Sequence, residues 1–157
     1  MLLLALPALL LTACQPSAEP IDYGADACDF CKMTIVDAQH GAEAVTSKGK
    51  VYKFDAIECL SNFLEQKQDK PFAFLLVNDY HSPKELMDAT TSYYLISKNL
   101  PSPMGAYLTA FREQSAAVEM QQAKGGQVFD WKGMLVYLKE NGIVKTTKGG
   151  RQTVGSH

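Results

Sequence analysis

No run of lysine or arginine interrupts this 157-residue chain, whose 15 basic and 17 acidic residues are scattered and leave a formal net charge of -2. A slightly acidic chain without a basic stretch lacks the electrostatic footprint of a nucleic-acid binder, so that class is set aside. Equally missing are a serine-histidine-aspartate ordering, a glycine-rich phosphate loop and a pair of activated carboxylates, and nothing argues for an enzyme. The apolar run from Met1 to Leu11 is too short to span a bilayer permanently. Cysteine is sparse as well. The chain has four, at positions 14, 28, 31 and 59.

What is present starts with that apolar run, which Leu11-Thr12-Ala13-Cys14 closes with small residues before a cysteine. It resembles a bacterial lipoprotein signal, in which Cys14 becomes the lipid-modified first residue and the membrane anchor. An exported chain meets an oxidising compartment. With Cys14 withdrawn, Cys28, Cys31 and Cys59 are an odd set that cannot all pair as disulfides, leaving at least one thiol free or metal-bound.

The expected organisation is a signal at 1–13, a flexible tether at 14–27, a first α+β half at 28–84, a second at 85–144 and a polar, glycine-rich tail at 145–157. Met33 to Asp37, Ala42 to Thr46 and Lys50 to Phe54 read as strands, the last two joined by a turn at Ser47-Lys48-Gly49. Asp55 with Glu58 has capping-box spacing for a helix ending near Gln68. Phe72 to Val77 reads as a central strand buried on both faces, and Asn78 to Pro83 as a loop. Ser92 to Ile96, Tyr107 to Phe111 and Gln127 to Phe129 are further strands. A helix capped by Ser115 stops at Gly125-Gly126, and one capped by Asp130 carries a stripe of Trp131, Met134, Leu135 and Leu138. Strand, Phe-Asp, then helix occurs at Phe54-Asp55 and at Phe129-Asp130, which suggests a weak internal repeat.

Cys28-Asp29-Phe30-Cys31-Lys32-Met33 concentrates two thiols and a thioether, soft donors suited to Cu(I). A β-prone run follows the motif rather than the helix a disulfide oxidoreductase requires. On a strand, Cys31 and Met33 would share a face, with Cys28 an auxiliary thiol. Cys59 is either a third sulfur ligand or a small buried hydrophobe. His81 sits in a loop from which imidazole can reach a metal, and Met104 stands on the rigid Pro103-Met104-Gly105 loop, where donation to a metal or contact with a partner would explain it.

Together the lipoprotein signal, Cys28-x-x-Cys31-x-Met33, the Phe54-Asp55 turn leading to Cys59, Pro103-Met104-Gly105, Phe111 and Gly125-Gly126 resemble the NosL family of copper chaperones for nitrous oxide reductase. The resemblance implies an α+β fold of two small related ββα-type halves, distantly like the organomercurial lyase fold. It implies a periplasm-facing lipoprotein that binds Cu(I) and supplies the copper–sulfide centre of nitrous oxide reductase together with an ABC-transporter assembly complex. By motif position it points to Cys31, Met33 and Met104 as ligands, with His81 an addition and Cys28 and Cys59 leaving the set open. The competing readings are a zinc module using Cys28, Cys31, Cys59 and His81, and an exported thiol-disulfide oxidoreductase.

Overall fold

The computed structural model describes residues 15–145; Cys14 and the tail beyond Lys145 lie outside that range. The element order is β1 (Ala42–Thr46), β2 (Val51–Phe54), α1 (Ile57–Gln66), β3 (Phe72–Asp79), β4 (Ser82–Asp88), β5 (Tyr93–Ile96), β6 (Leu108–Phe111), α2 (Gln114–Lys124), β7 (Gln127–Asp130) and α3 (Trp131–Glu140). Two antiparallel sheets result, ordered β2-β1-β3-β4 and β6-β5-β7. The architecture is mixed α+β, and the expected boundary at 84/85 falls inside β4, with the change of sheet at residues 89–92.

The two halves share a topology. In β1-β2-α1-β3 and in β5-β6-α2-β7 the first strand is central, and the helix joins its two neighbours. Ala42 pairs with Phe54 and Val77, as Tyr93 pairs with Phe111 and Asp130. That register makes Phe54 the counterpart of Phe111, each fully buried and each followed three residues later by a helix. The repeated Phe-Asp pair therefore matched unlike places: the first ends β2, whereas the second ends β7. By register, Asp55 corresponds to Arg112, and Cys59 to Ala116. The second half has no counterpart of the thiol.

Local chemistry accounts for the turns. Gly49 takes a positive φ of 81° and closes the β1–β2 hairpin, its N–H donating to the Thr46 carbonyl at 2.9 Å. Asp130 caps α3 as expected, accepting from the Gly133 N–H at 2.7 Å. Asp130→Ala should cost about 1 kcal/mol, read as a lower melting temperature with metal binding unchanged; an unaltered melting temperature would refute the cap. The other two expected caps are corrected. Ala56 occupies the N-cap of α1 and Glu113 that of α2, neither with a side-chain cap bond. Asp55 and Glu58 face other partners, described below.

Two strand expectations also change. Met33–Asp37 forms no strand and contributes only an isolated bridge between Ala27 and Thr34. β3 is central but buried only over Val77–Asp79, with Ala73 and Phe74 exposed. The loop expected at Asn78–Pro83 is instead a tight turn into β4, an edge strand on which a proline is tolerated.

One principal core unites the halves. Phe54, Ile57 and Leu60 from the first pack in the same cluster as Tyr94, Leu108, Met134 and Leu138 from the second. Each such fully buried large side chain contributes roughly 1.5–3 kcal/mol. The stripe expected on α3 is what docks, with Trp131 5.7 Å from the Tyr94 ring. Buried polar contacts fix the register of the two halves: His40 bridges Asp37 (3.0 Å) and Thr109 (3.2 Å), and Tyr80 N–H donates to the Ala110 carbonyl at 3.0 Å. Residues 15–27, expected as a tether, lie against the first half, with Glu19 N–H on the Glu43 carboxylate and Ile21 in the core.

Candidate metal site

The Cys28–Met33 segment is a closed loop rather than a strand. Cys28 N–H donates to the Met33 carbonyl at 2.8 Å and Lys32 N–H to the Cys28 carbonyl at 3.0 Å, with Lys32 held at a left-handed φ of 67°. The loop is clamped to β2, because Asp29 N–H donates to the Lys53 carbonyl (2.8 Å) and Lys53 N–H to Asp29 Oδ2 (2.9 Å). Wrapping the backbone in this way turns Cys28 fully inward and leaves Cys31 at the edge.

β2 leads through Asp55 into α1, whose first turn carries Cys59. One ligand atom from each of Cys28, Cys31, Asp55 and Cys59 lies within 4.8 Å of every other, the one such group of cysteine, histidine and carboxylate side chains among the described residues. Cys31 Sγ donates to Asp55 Oδ1 at 3.5 Å. All three cysteines are free thiols.

Their acidities diverge for identifiable reasons. Cys28 is pulled down to about 6 because it accepts from the Cys59 thiol and from the backbone N–H groups of Asp55, Cys31 and Phe30, against the opposing effect of burial. Cys59 is driven far up, first because its proton is held on Cys28 and second by burial. Burial, with the neighbouring Cys28 sulfur, pushes Cys31 up to about 11. At neutral pH the cluster is one thiolate solvated by protein donors and flanked by two thiols.

Of the remaining sequence candidates, two are exposed thioethers and one is a histidine outside the thiol group. Met33 is 57% exposed at the end of the loop, and Met104 is 41% exposed between Pro103 and Gly105. The Met104 loop is tied down one residue from Cys59: Glu58 accepts from Ser102 Oγ at 2.5 Å and from Ala106 N–H at 3.2 Å. His81 lies in the β3–β4 turn against the rings of Tyr80 (5.7 Å) and Phe111 (5.3 Å), outside the thiol group. Asp55 is the member that sequence reasoning assigned to another task. Its capping-box spacing concealed it, although its position beside the helix that bears Cys59 is the signal that could have found it.

The NosL family model matches residues 22–135, which span every element that builds this cluster. The chain belongs to the NosL family. A relative from Stutzerimonas stutzeri, described as copper-binding lipoprotein NosL, is 32% identical over 142 residues, covering 81% of this chain and 75% of its own length. The crystal structure of the copper chaperone NosL from Shewanella denitrificans shares the fold, with a TM-score of 0.63 over 74% of this chain and 93% of that one at 19% identity. Those NosL relatives are named as metal-handling proteins and not as enzymes, in keeping with the missing catalytic constellations. None of the described helices is long and apolar enough to cross a membrane.

Proposed function

We propose that this NosL-family protein binds Cu(I) at Cys28, Cys31 and Cys59 and hands it on for assembly of the copper–sulfide centre of nitrous oxide reductase, held at the membrane through lipidated Cys14 and facing the periplasm. The observation that carries the reading is the convergence of three thiols on one point in a family whose relatives are named for copper. Thiolates select Cu(I) over hard cations. Cys31 is the entry ligand because it alone of the three is partly exposed, with Cys28 and Cys59 behind it.

Transfer requires a site that holds copper tightly yet lets an incoming sulfur add before the first ligands leave. Met33, exposed at the loop end, and Met104, exposed on the loop held by Glu58, are the neutral thioethers this reading assigns to that exchange. The nitrous oxide reductase and its ABC-transporter assembly complex are the receiving side in this reading.

Asp55 favours one second reading. Three thiolates and a carboxylate also make a tetrahedral zinc set, in place of the Cys28, Cys31, Cys59 and His81 array. Anaerobic competition titration should give one Cu(I) per chain, and X-ray absorption of the loaded protein should show a sulfur shell without an oxygen scatterer. One equivalent of zinc that resists Cu(I) exchange and shows an oxygen neighbour would replace the copper reading with the zinc one.

A further inference from the structure

The N-terminal stretch limits how far an anchor at Cys14 can lie from the domain. Pro16 Cα lies 4.0 Å from the position a Cβ on Gly49 would occupy, so the chain leaves the domain at the tip of the β1–β2 hairpin. Two residues back to Cys14 reach at most about 7 Å. A bilayer holding that residue is therefore brought near this hairpin, because the stretch that follows, though largely exposed, is pinned at Pro16 beside Gly49, at Glu19 on the Glu43 carboxylate and at the Pro20 carbonyl on Lys53 Nζ.

The surface found there is basic. Ser47, Lys48, Lys50, Tyr52, Lys70 and Pro71 line a groove beside the hairpin, with Lys50 Nζ 4.7 Å and Lys70 Nζ 6.0 Å from the Tyr52 ring centroid. A second groove continues from the same Tyr52 and Lys70 to Lys67 and Lys32, with Asp29 also on its wall. Asp69 is exposed between Lys67 and Lys70 and reduces the positive excess without cancelling five lysines. In a chain of net charge -2, this gathering of cations is local.

The geometry points to the β1–β2 hairpin face as a membrane-contact surface on which Lys48, Lys50 and Lys70 engage anionic phospholipid headgroups. Juxtamembrane lysines gain from an anionic surface and lose that gain within a Debye length, so only a face held close to the bilayer benefits. The contact sets an orientation. The hairpin lies at one end of β2 and Asp55 at the other, which puts the thiol cluster at most roughly 13 Å further from the bilayer along the strand, with Cys31 at its partly exposed edge.

The inference draws its anchor from the lipidation in the proposed function, and the test separates the two by omitting the lipid. The chain from Gln15 onward, which lacks both Cys14 and the apolar run before it, is mixed with vesicles of phosphatidylcholine alone and of equal parts phosphatidylcholine and phosphatidylglycerol. Binding is expected only to the second and should fall with added salt. Replacing Lys48, Lys50 and Lys70 together with glutamine should weaken it on the order of 100-fold, whereas the same charge loss at Lys98, Lys124 and Lys132 should have little effect. Circular dichroism confirms that each variant is folded. Equal behaviour of the two triple variants, or no preference for anionic vesicles, overturns the proposal and leaves the face to an acidic protein partner. Lipidation itself is read separately, by the mass of membrane-extracted protein.

Discussion

Replacing Cys59 with alanine should lower Cu(I) affinity on the order of 1000-fold, more than the roughly 10–100-fold that loss of a supporting partner costs a metal site. The sequence allows Cys59 two roles, third ligand or small buried hydrophobe, and this substitution separates them. As a hydrophobe, removal of one sulfur from a packed interior costs about 1 kcal/mol of stability and leaves copper binding alone. As a ligand, it removes the donor that faces Cys28 across the cluster and also the thiol whose hydrogen bond holds Cys28 ionised. Competition titration with a chromophoric Cu(I) chelator gives the affinity, and thermal unfolding of the metal-free protein gives the stability. A small loss of stability with unchanged affinity would show that Cys59 is packing alone.

The second large effect is on pH. Thiols bind Cu(I) as thiolates, so every proton present in the metal-free cluster must leave on binding. Cys28, lowered to about 6, is already ionised at neutral pH, whereas Cys31 is raised to about 11 and Cys59 well above the ordinary thiol range. Between the first value and the second, binding through all three sulfurs releases about two protons, and affinity rises about 100-fold for each pH unit. Below the Cys28 value a third proton must also be displaced, so affinity falls more steeply with acid. Calorimetry in buffers of different ionisation enthalpy counts the protons directly. Release of a single proton at neutral pH would mean that one of the two protonated thiols does not ligate.

The thiol cluster joins soft donors to a position set by the core. Cys28 and Cys59 sit in the same core as Ile57 and Leu60, so their positions are set by packing that also unites the halves. Cys31 lies at the margin, where its thiol meets Asp55. Glu58, adjacent to Cys59, reaches the loop bearing Met104 through Ser102 and Ala106, so that loop is referenced to the helix that holds the thiol. The second half takes part through this contact and contributes no cysteine.

Much of the local structure was legible because it is written in short-range chemistry. The hairpin at Gly49, the stop at Gly125, the Asp130 cap and the stripe of α3 each depend on residues a few positions apart. Failures came where a local rule met a tertiary competitor. Asp55 and Glu58 have the spacing of a capping box, yet their carboxylates are claimed by Cys31 and Ser102. Met33–Asp37 has β-prone residues but no neighbouring strand to pair with beyond one bridge, so the strand expected to set Cys31 and Met33 on a single face does not form. β4 was hidden by Pro83, which an edge strand accommodates because one side of its ladder is unpaired.

The sequence by itself determined the donor types, the odd thiol count, the α+β class and the resemblance to NosL, because residue identity and order suffice for these. Only the tertiary structure decided which donors meet. Closure of the Cys28–Met33 loop and its clamp to β2 bring Cys28 and Cys31 to the first turn of α1, joining residues 24 to 31 positions apart along the chain. The same holds for the lysines, scattered in sequence yet gathered around Tyr52 by the hairpin and the turn before β3. Such proximity arises from strand pairing and core packing, long-range interactions that no local pattern of residues specifies.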